Sequence, residues 1–426
     1  MSEESASTSA IMPRTSGVLK GSITFLKFKV EGELPDDVRQ KYMARIRTRA
    51  FRPLTPEDED DVSVGWVPIE RPFDDEVVFR TDGVFFGEYL NLGLRLDRWK
   101  FPAPLVKARM AAAERTWKQK TGKERISRAE KTELRDLVMR KLRREGVPVT
   151  TGFDFSWNMT TGELRFFGRS KNVVEHFYEL FEKTFSLRLI PSAPYTIGLS
   201  VLSKDLHKAL ATVEPNVRGR LVSDVQQNEG PSIGELIATR RFLGREFIAW
   251  LWFETEIFEE KFQIAGKHAQ HPDNFGTCEI FIDKVLTLES PGEGAVPQKS
   301  ALTGSLPGAT PEAREALVQG KLPTKARFFV RREEQEFAFT IEGDSLALSA
   351  VKIPVVLRTG DDDPFFERMF LVEAIEAAVE TLFGVFLELR LRDAWQHLVL
   401  PAMRSWMRNE DLDDVAIEEY RGARAR

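Results

Sequence analysis

Two groups of residues in this 426-residue sequence have types and spacings suited to chemistry. The first is His268-x-x-His271, with Asp273 and Cys278 close by. Two imidazoles one helical turn apart could share a metal ion, but Pro272 stops a helix there, and a structural zinc site needs a fuller ligand set at tighter spacing. An ordinary polar loop explains these residues better. The second group is basic. Between Arg95 and Glu145 stand 17 Lys/Arg against 7 Asp/Glu, a local +10 in a chain whose formal net charge is -5. Lys and Arg gathered on one element form the electrostatic footprint of a phosphate-binding surface. The same residues also suit long solvated helices, so the span alone fits either a nucleic-acid contact or a soluble face.

Other chemistry is weakly signalled. Asp361-Asp362-Asp363 could recruit a divalent cation, yet between Gly360 and Pro364 the run reads more simply as a solvated turn capping the next helix. No phosphate loop of the GxxxxGK[ST] type, no GxGxxG after a strand and no GxSxG elbow occurs. Five histidines and one cysteine leave few nucleophile–base pairs, and no cofactor is implied. An enzymatic alternative is a metal-dependent nuclease using carboxylates such as Asp361 to Asp363. Another is an interaction module whose basic surface docks an acidic partner. Trp99 and Trp117 lie inside the basic span, where they either stack on bases or pack at the foot of the helices. Trp250 and Trp252, within Phe247 to Phe253 (FIAWLWF), read as core.

The elements that must position the basic residues are helices. Pro102 and Pro104 open one that runs to about Lys120, and Thr121-Gly122 ends it. Ser127 with Glu130 forms a capping box for a second, which carries Leu134, Leu137, Val138 and Leu142 as a narrow apolar stripe and stops at Gly146-Val147-Pro148. The pair over 102–146 reads as a basic helical hairpin able to project from the body, each helix burying one side. Around it the pattern is strands and helices in mixed order: a strand at Gly21 to Val30, a helix at Pro35 to Ala50, and two or three strands in Val77 to Leu96. A strand hairpin about Thr160-Thr161 and an amphipathic helix at Lys171 to Phe185 follow. Further on come an apolar stretch with helical charge spacing at Ile233 to Phe262 and a strand at Cys278 to Leu288. A flexible loop at 291–311 and a helix at Pro311 to Gln319 precede strands at Thr324 to Ala338 and Ser345 to Leu357. Phe365 to Trp406 is mostly helical.

This order predicts an α+β protein, an elongated multi-lobed body with mixed sheets. Its predicted parts are a tail (1–16), an N-terminal half (17–198), a C-terminal half (199–406) and a charged tail (407–426). A lone cysteine permits no internal disulfide. The N-terminus lacks the basic and apolar regions of a signal peptide, and the most apolar short run is far too short to span a bilayer. A cytoplasmic protein without membrane association is expected.

Taken in order, the landmarks resemble the RdgC family of recombination-associated DNA-binding proteins. They are Ala50-Phe51-x-Pro53, the acidic loop Thr55 to Asp61, Gly65-Trp66-Val67-Pro68, the Pro102/Pro104 helix start, the basic helices, and Leu142 to Pro148 before a strand hairpin. Later, Gly320-Lys321 with Thr324-Lys325 follows a short helix and leads into a strand. The resemblance spans roughly residues 18 to 390 and rests on the ordered series, since no single motif is decisive. It implies a ring-shaped homodimer with a positively lined hole that passes DNA, binds it with little sequence preference, restrains RecA-driven strand exchange, and acts at the nucleoid without catalysis. Lys321 matches the lysine of the family's Gly-Lys motif, expected to face the hole, with Lys325 close behind. Where the family has Pro-Arg-Ala-Phe at the meeting tips of the subunits, this chain has Pro148-Val149-Thr150-Thr151, without the arginine or the aromatic. The residues expected to contact double-stranded DNA, and single strands if these are bound, are Lys107, Arg109, Arg115, Lys118, Lys120, Lys123, Arg125, Arg128, Arg140, Lys141, Arg143, Arg144, Lys321 and Lys325.

Overall fold

A computed structural model describes residues 17–19, 21, 23–74, 76–216, 232–257, 261–264, 276–290, 298–354, 364–410, 412 and 414–424. They form a mixed α+β fold with two antiparallel sheets. They fall into two compact units, drawn from Met1–Gly21 with Val30–Leu189 and from Ser22–Lys29 with Ile190–Arg426. The predicted division at 198/199 falls inside a helix, Pro194–Val201, and the two compact units change over between Leu189 and Ile190, with Ser22–Lys29 in the second.

As far as residue 191 the elements are β1 (Leu26–Glu31), α1 (Val38–Thr48), β2 (Val62–Val67), α2 (Thr81–Val84), β3 (Phe85–Phe86), β4 (Tyr89–Arg98), α3 (Ala103–Thr121), α4 (Arg128–Glu145), β5 (Val149–Asn158), β6 (Glu163–Phe166), α5 (Lys171–Phe185) and β7 (Arg188–Pro191), with β1 and β7 each drawing residues from both units. The sheet order is β2-β4-β5-β6-β1-β7, with β3 beside β4. One sheet face meets α1 and α5 through an aromatic core. The Phe166 and Phe177 rings stack at 4.0 Å, and Trp66 packs on Phe155 and donates its indole N–H to Thr184 Oγ1 at 2.9 Å. Tyr89 to Leu96 alternates along its length, and β4 is buried on both faces. Its polar face holds Arg95 and Asp97 as a two-bond ion pair (3.1 and 3.0 Å), with the guanidinium 4.2 Å from the Phe51 ring centre. A buried charge persists where it is paired and hydrogen-bonded in this way.

The Phe51 and Gly65-Trp66 landmarks prove to be one feature. Phe51 N–H donates to the Trp66 carbonyl (2.9 Å), and Trp66 N–H to that of Arg49 (3.0 Å). This brings the chains so close that a Cβ on Gly65 would lie 2.3 Å from Phe51 Cα.

The second unit continues with α6 (Pro194–Val201), α7 (His207–Thr212), α8 (Ile233–Thr239), α9 (Phe242–Ile257), β8 (Lys261–Ile264), β9 (Gly276–Glu289), β10 (Lys299–Gly304), α10 (Pro311–Val318), β11 (Leu322–Arg332), β12 (Gln335–Glu342), β13 (Leu348–Lys352), α11 (Pro364–Arg390), α12 (Leu400–Met407) and α13 (Asp414–Arg424). Its sheet runs β10-β9-β11-β12-β13, with β8 beside β9. Trp250 and Trp252 are core residues, fully buried in α9.

Four expectations are corrected here. The strand predicted over 324–338 is a hairpin, β11 and β12, turning at Glu333 with φ 52°, where no glycine or proline marks the turn. The predicted loop 291–311 contains β10, which pairs with β9 from Lys299↔Glu289 to Gly304↔Lys284; residues 291–297 lie outside the described residues. The stretch 233–262 is divided into α8 and α9 and ends in β8. The predicted charged tail contains α13, whose Tyr420 is buried: its hydroxyl donates to Glu254 and accepts from Trp250 Nε1.

Replacing Gly65 with alanine should lower the stability of the full chain by about 1–3 kcal/mol, because backbone rather than a flexible side chain must give way. Urea unfolding followed by tryptophan fluorescence checks this; an unchanged midpoint would show that the Phe51–Trp66 strand contact is dispensable.

Candidate nucleic-acid interface

Helix α3 begins as its prolines dictate, with Val106 N–H donating to the Pro102 carbonyl at 3.2 Å. It ends at Gly122, whose φ of 69° is left-handed backbone that glycine adopts without strain. The capping box opens α4: Ser127 Oγ accepts from Glu130 N–H (3.3 Å), and Ser127 N–H donates to Glu130 Oε2 (2.9 Å). The bonds from Ser127 hold the Glu130 carboxyl below its ordinary pKa. Between the helices, Arg109 pairs with Glu145 (3.2 Å) and Lys131 with Glu114 (3.5 Å), so they run antiparallel.

The apolar stripe is thinner than predicted. Val138 and Leu142 are buried, but Leu137 is 56% exposed, and α3 buries no residue at all. Two long helices with so little buried surface owe much of their stability to caps, propensity and ion pairs.

The cations sort into two sets. At the end of the pair nearest the strands they are engaged. Arg143, predicted to contact DNA, is instead buried: its guanidinium donates to the Asp58 carbonyl and to Asp61 Oδ1, the latter at 2.6 Å. Arg144 donates to Glu57 at 3.2 Å, and Lys141 lies 3.9 Å from Glu145. The acidic loop Thr55 to Asp61 thus docks onto the last turn of α4, and Trp99 N–H adds a bond to the Asp61 carbonyl (3.0 Å). At the turn between the helices the picture reverses. Arg115, Lys118, Lys120, Arg125 and Arg128 are exposed and make no ion pair among the described residues, and Lys107 further down α3 is likewise exposed and unpaired. Lys123 pairs with Glu130 (3.2 Å) and sits 5.6 Å from the Trp117 ring centre. Arg140 is exposed and donates only to the Asp136 carbonyl (3.4 Å).

Lys321 and Lys325 belong to the second unit. Lys321 is half-buried and donates to Ser300 Oγ at 2.9 Å, while Lys325 sits half-buried on β11, opposite Glu342 of β12. Of residues 148–151, Val149 to Thr151 form the start of β5, directly after Pro148, with Val149 opposite Arg98 and Thr151 opposite Leu96.

Trp99 packs rather than offering a ring: it is 7% exposed and stacked on Phe101 (6.0 Å, 12°). Trp117 is half-buried. Lys131 and Arg135 were missed as candidates, although both are exposed on α4 and lie beside a groove shared with α3. Their position three to seven residues after Arg128 puts all three on one helix face, a signal the sequence does contain.

His268, His271, Asp273 and Asp361 to Asp363 lie outside the described residues. Cys278 is buried, and burial pushes its thiol up to about 12. Among the described residues no group of three or more His, Cys, Asp and Glu side chains is arranged to hold a metal ion, and no helix is long and apolar enough to cross a membrane. Comparison with models of known protein families gives no match, and comparison with curated proteins gives none either.

Arg143→Ala should cost about 1–3 kcal/mol, because it removes a buried guanidinium with two loop partners. Arg125→Ala should change stability by less than about 0.5 kcal/mol. Thermal unfolding of the two variants separates these roles; equal effects would mean that the loop contact does not anchor the helix end.

Proposed function

We propose that this chain binds DNA through the helical hairpin α3–α4 with little sequence preference. The observation that carries this reading is the set of unpaired, exposed cations around the turn, Arg115, Lys118, Lys120, Arg125 and Arg128, in a chain of net charge -5. Cations free of carboxylates are available to neutralise phosphates and release counterions, whereas paired ones must first break a contact. Phosphate contacts position a protein on a duplex without reading its bases.

The RdgC-like series of landmarks extends this reading. On it, the protein is a homodimer that closes around or clamps duplex DNA, with Lys321 and Lys325 near the bound strand. It tempers RecA-dependent recombination at the nucleoid, and it needs no cofactor or catalytic step. Val149 to Thr151, which replace the family's arginine and aromatic, would make the meeting of two tips depend on strand edges and small side chains.

With about six phosphates contacted, affinity for a short duplex should fall roughly a thousandfold between 50 and 200 mM salt. Reversing Lys118, Lys120, Arg125 and Arg128 to glutamate should flatten the slope of log affinity against log salt by about 3–4. Fluorescence anisotropy with unrelated duplex sequences measures both; an unchanged slope would remove the hairpin as the contact surface. Retention after a salt challenge tests the ring: a closed ring leaves linear DNA and stays on circles, while equal loss from both denotes an open clamp.

A further inference from the structure

We propose that the groove between α3 and α4 docks an acidic amphipathic helix of a partner protein, a site that shares Arg128 with the phosphate contacts at the turn but does not depend on the DNA-binding reading. The groove encloses about 900 Å³. Its floor is apolar: Trp99, Phe101, Val106, Met110 and Met139. Its rim is cationic, with Lys100, Lys107, Arg128, Lys131 and Arg135, against one carboxylate, Glu114, which Lys131 already engages at 3.5 Å.

Charge complementarity selects the occupant. Four rim cations without an ion pair among the described residues favour a ligand carrying several negative charges. Nucleic acid satisfies the rim but not the floor: aliphatic and thioether groups have nothing to offer a phosphate or sugar, and Trp99, stacked on Phe101, presents no open ring to a base. An amphipathic helix satisfies both. Its apolar stripe would cover the half-exposed Val106, Met110 and Met139, and its flanking carboxylates would reach the rim. Methionines suit such a floor because their unbranched side chains adapt to the knobs of an incoming helix.

The test uses the full chain and a fluorescein-labelled acidic peptide with leucines at i, i+3, i+4 and i+7. A scrambled peptide of the same composition is the control, and both are read by anisotropy near physiological salt. The patterned peptide should bind at least about tenfold tighter than the scramble, a difference of about 1.4 kcal/mol. Lys107→Glu with Arg135→Glu, both on exposed positions, should weaken it about tenfold, and Val106→Asp with Met139→Asp should do the same while circular dichroism stays unchanged. Equal binding of patterned and scrambled peptides, or indifference to the floor pair in a folded protein, overturns the proposal. So does a floor pair that weakens a single-stranded oligonucleotide but not the peptide, which would make the groove a base-binding site. Duplex binding by the same variants is scored separately, so loss of one activity is not mistaken for loss of the other.

Discussion

The contact of the acidic loop Thr55 to Asp61 with Arg143 and Arg144 decides what the basic helices can do. A buried guanidinium at the end of α4 requires partners, and the loop provides them from both its backbone and its carboxylates. Two consequences follow. The helix end is fixed to the sheet, since the strand that follows α4 starts four residues later at Val149. The positive charge is also graded along the hairpin, neutralised where it meets the loop and left free at the turn. Exposed pairs such as Arg144–Glu57 are individually worth little, so the anchoring falls to Arg143.

The aromatic core fixes the platform behind this arrangement. Gly65 permits the close approach in which Phe51 N–H donates to the Trp66 carbonyl and Trp66 N–H to that of Arg49, and Trp66 then carries the contact through to Thr184 on α5. On the opposite face of the sheet, Arg95 is held by Asp97 and by the Phe51 ring. Phe51 therefore links the two faces of the sheet at β4, a strand buried from Tyr89 to Asp97. A central strand buried on both faces is a rigid base from which two weakly packed helices can be presented.

Much of this was legible in the sequence because the responsible signals are local. Prolines, Gly122 and the Ser127/Glu130 box mark the ends of α3 and α4, and the spacing of Val173, Phe177 and Phe181 marks the buried face of α5. The unread features are set by tertiary contacts. Glu333 turns the β11–β12 hairpin in a conformation that carries no residue-type signature, and β10 is a strand only because β9 offers it an edge. The burial of Arg143 depends on a loop more than 80 residues earlier, so no window along the chain separates it from Arg140 or Arg144. Charge was readable as a sum, while its division into free and engaged cations required the fold.

The central claim is that the free cations at the hairpin turn are the surface that meets DNA. Its most direct measurement is lysine acetylation mapped by mass spectrometry on the full chain, with and without a duplex at low salt. Lys118, Lys120 and Lys123 should lose reactivity when DNA is added, while Lys171 and Lys183 on α5 keep theirs. Unchanged labelling at the turn while DNA is bound, or protection confined to other lysines, would contradict the account.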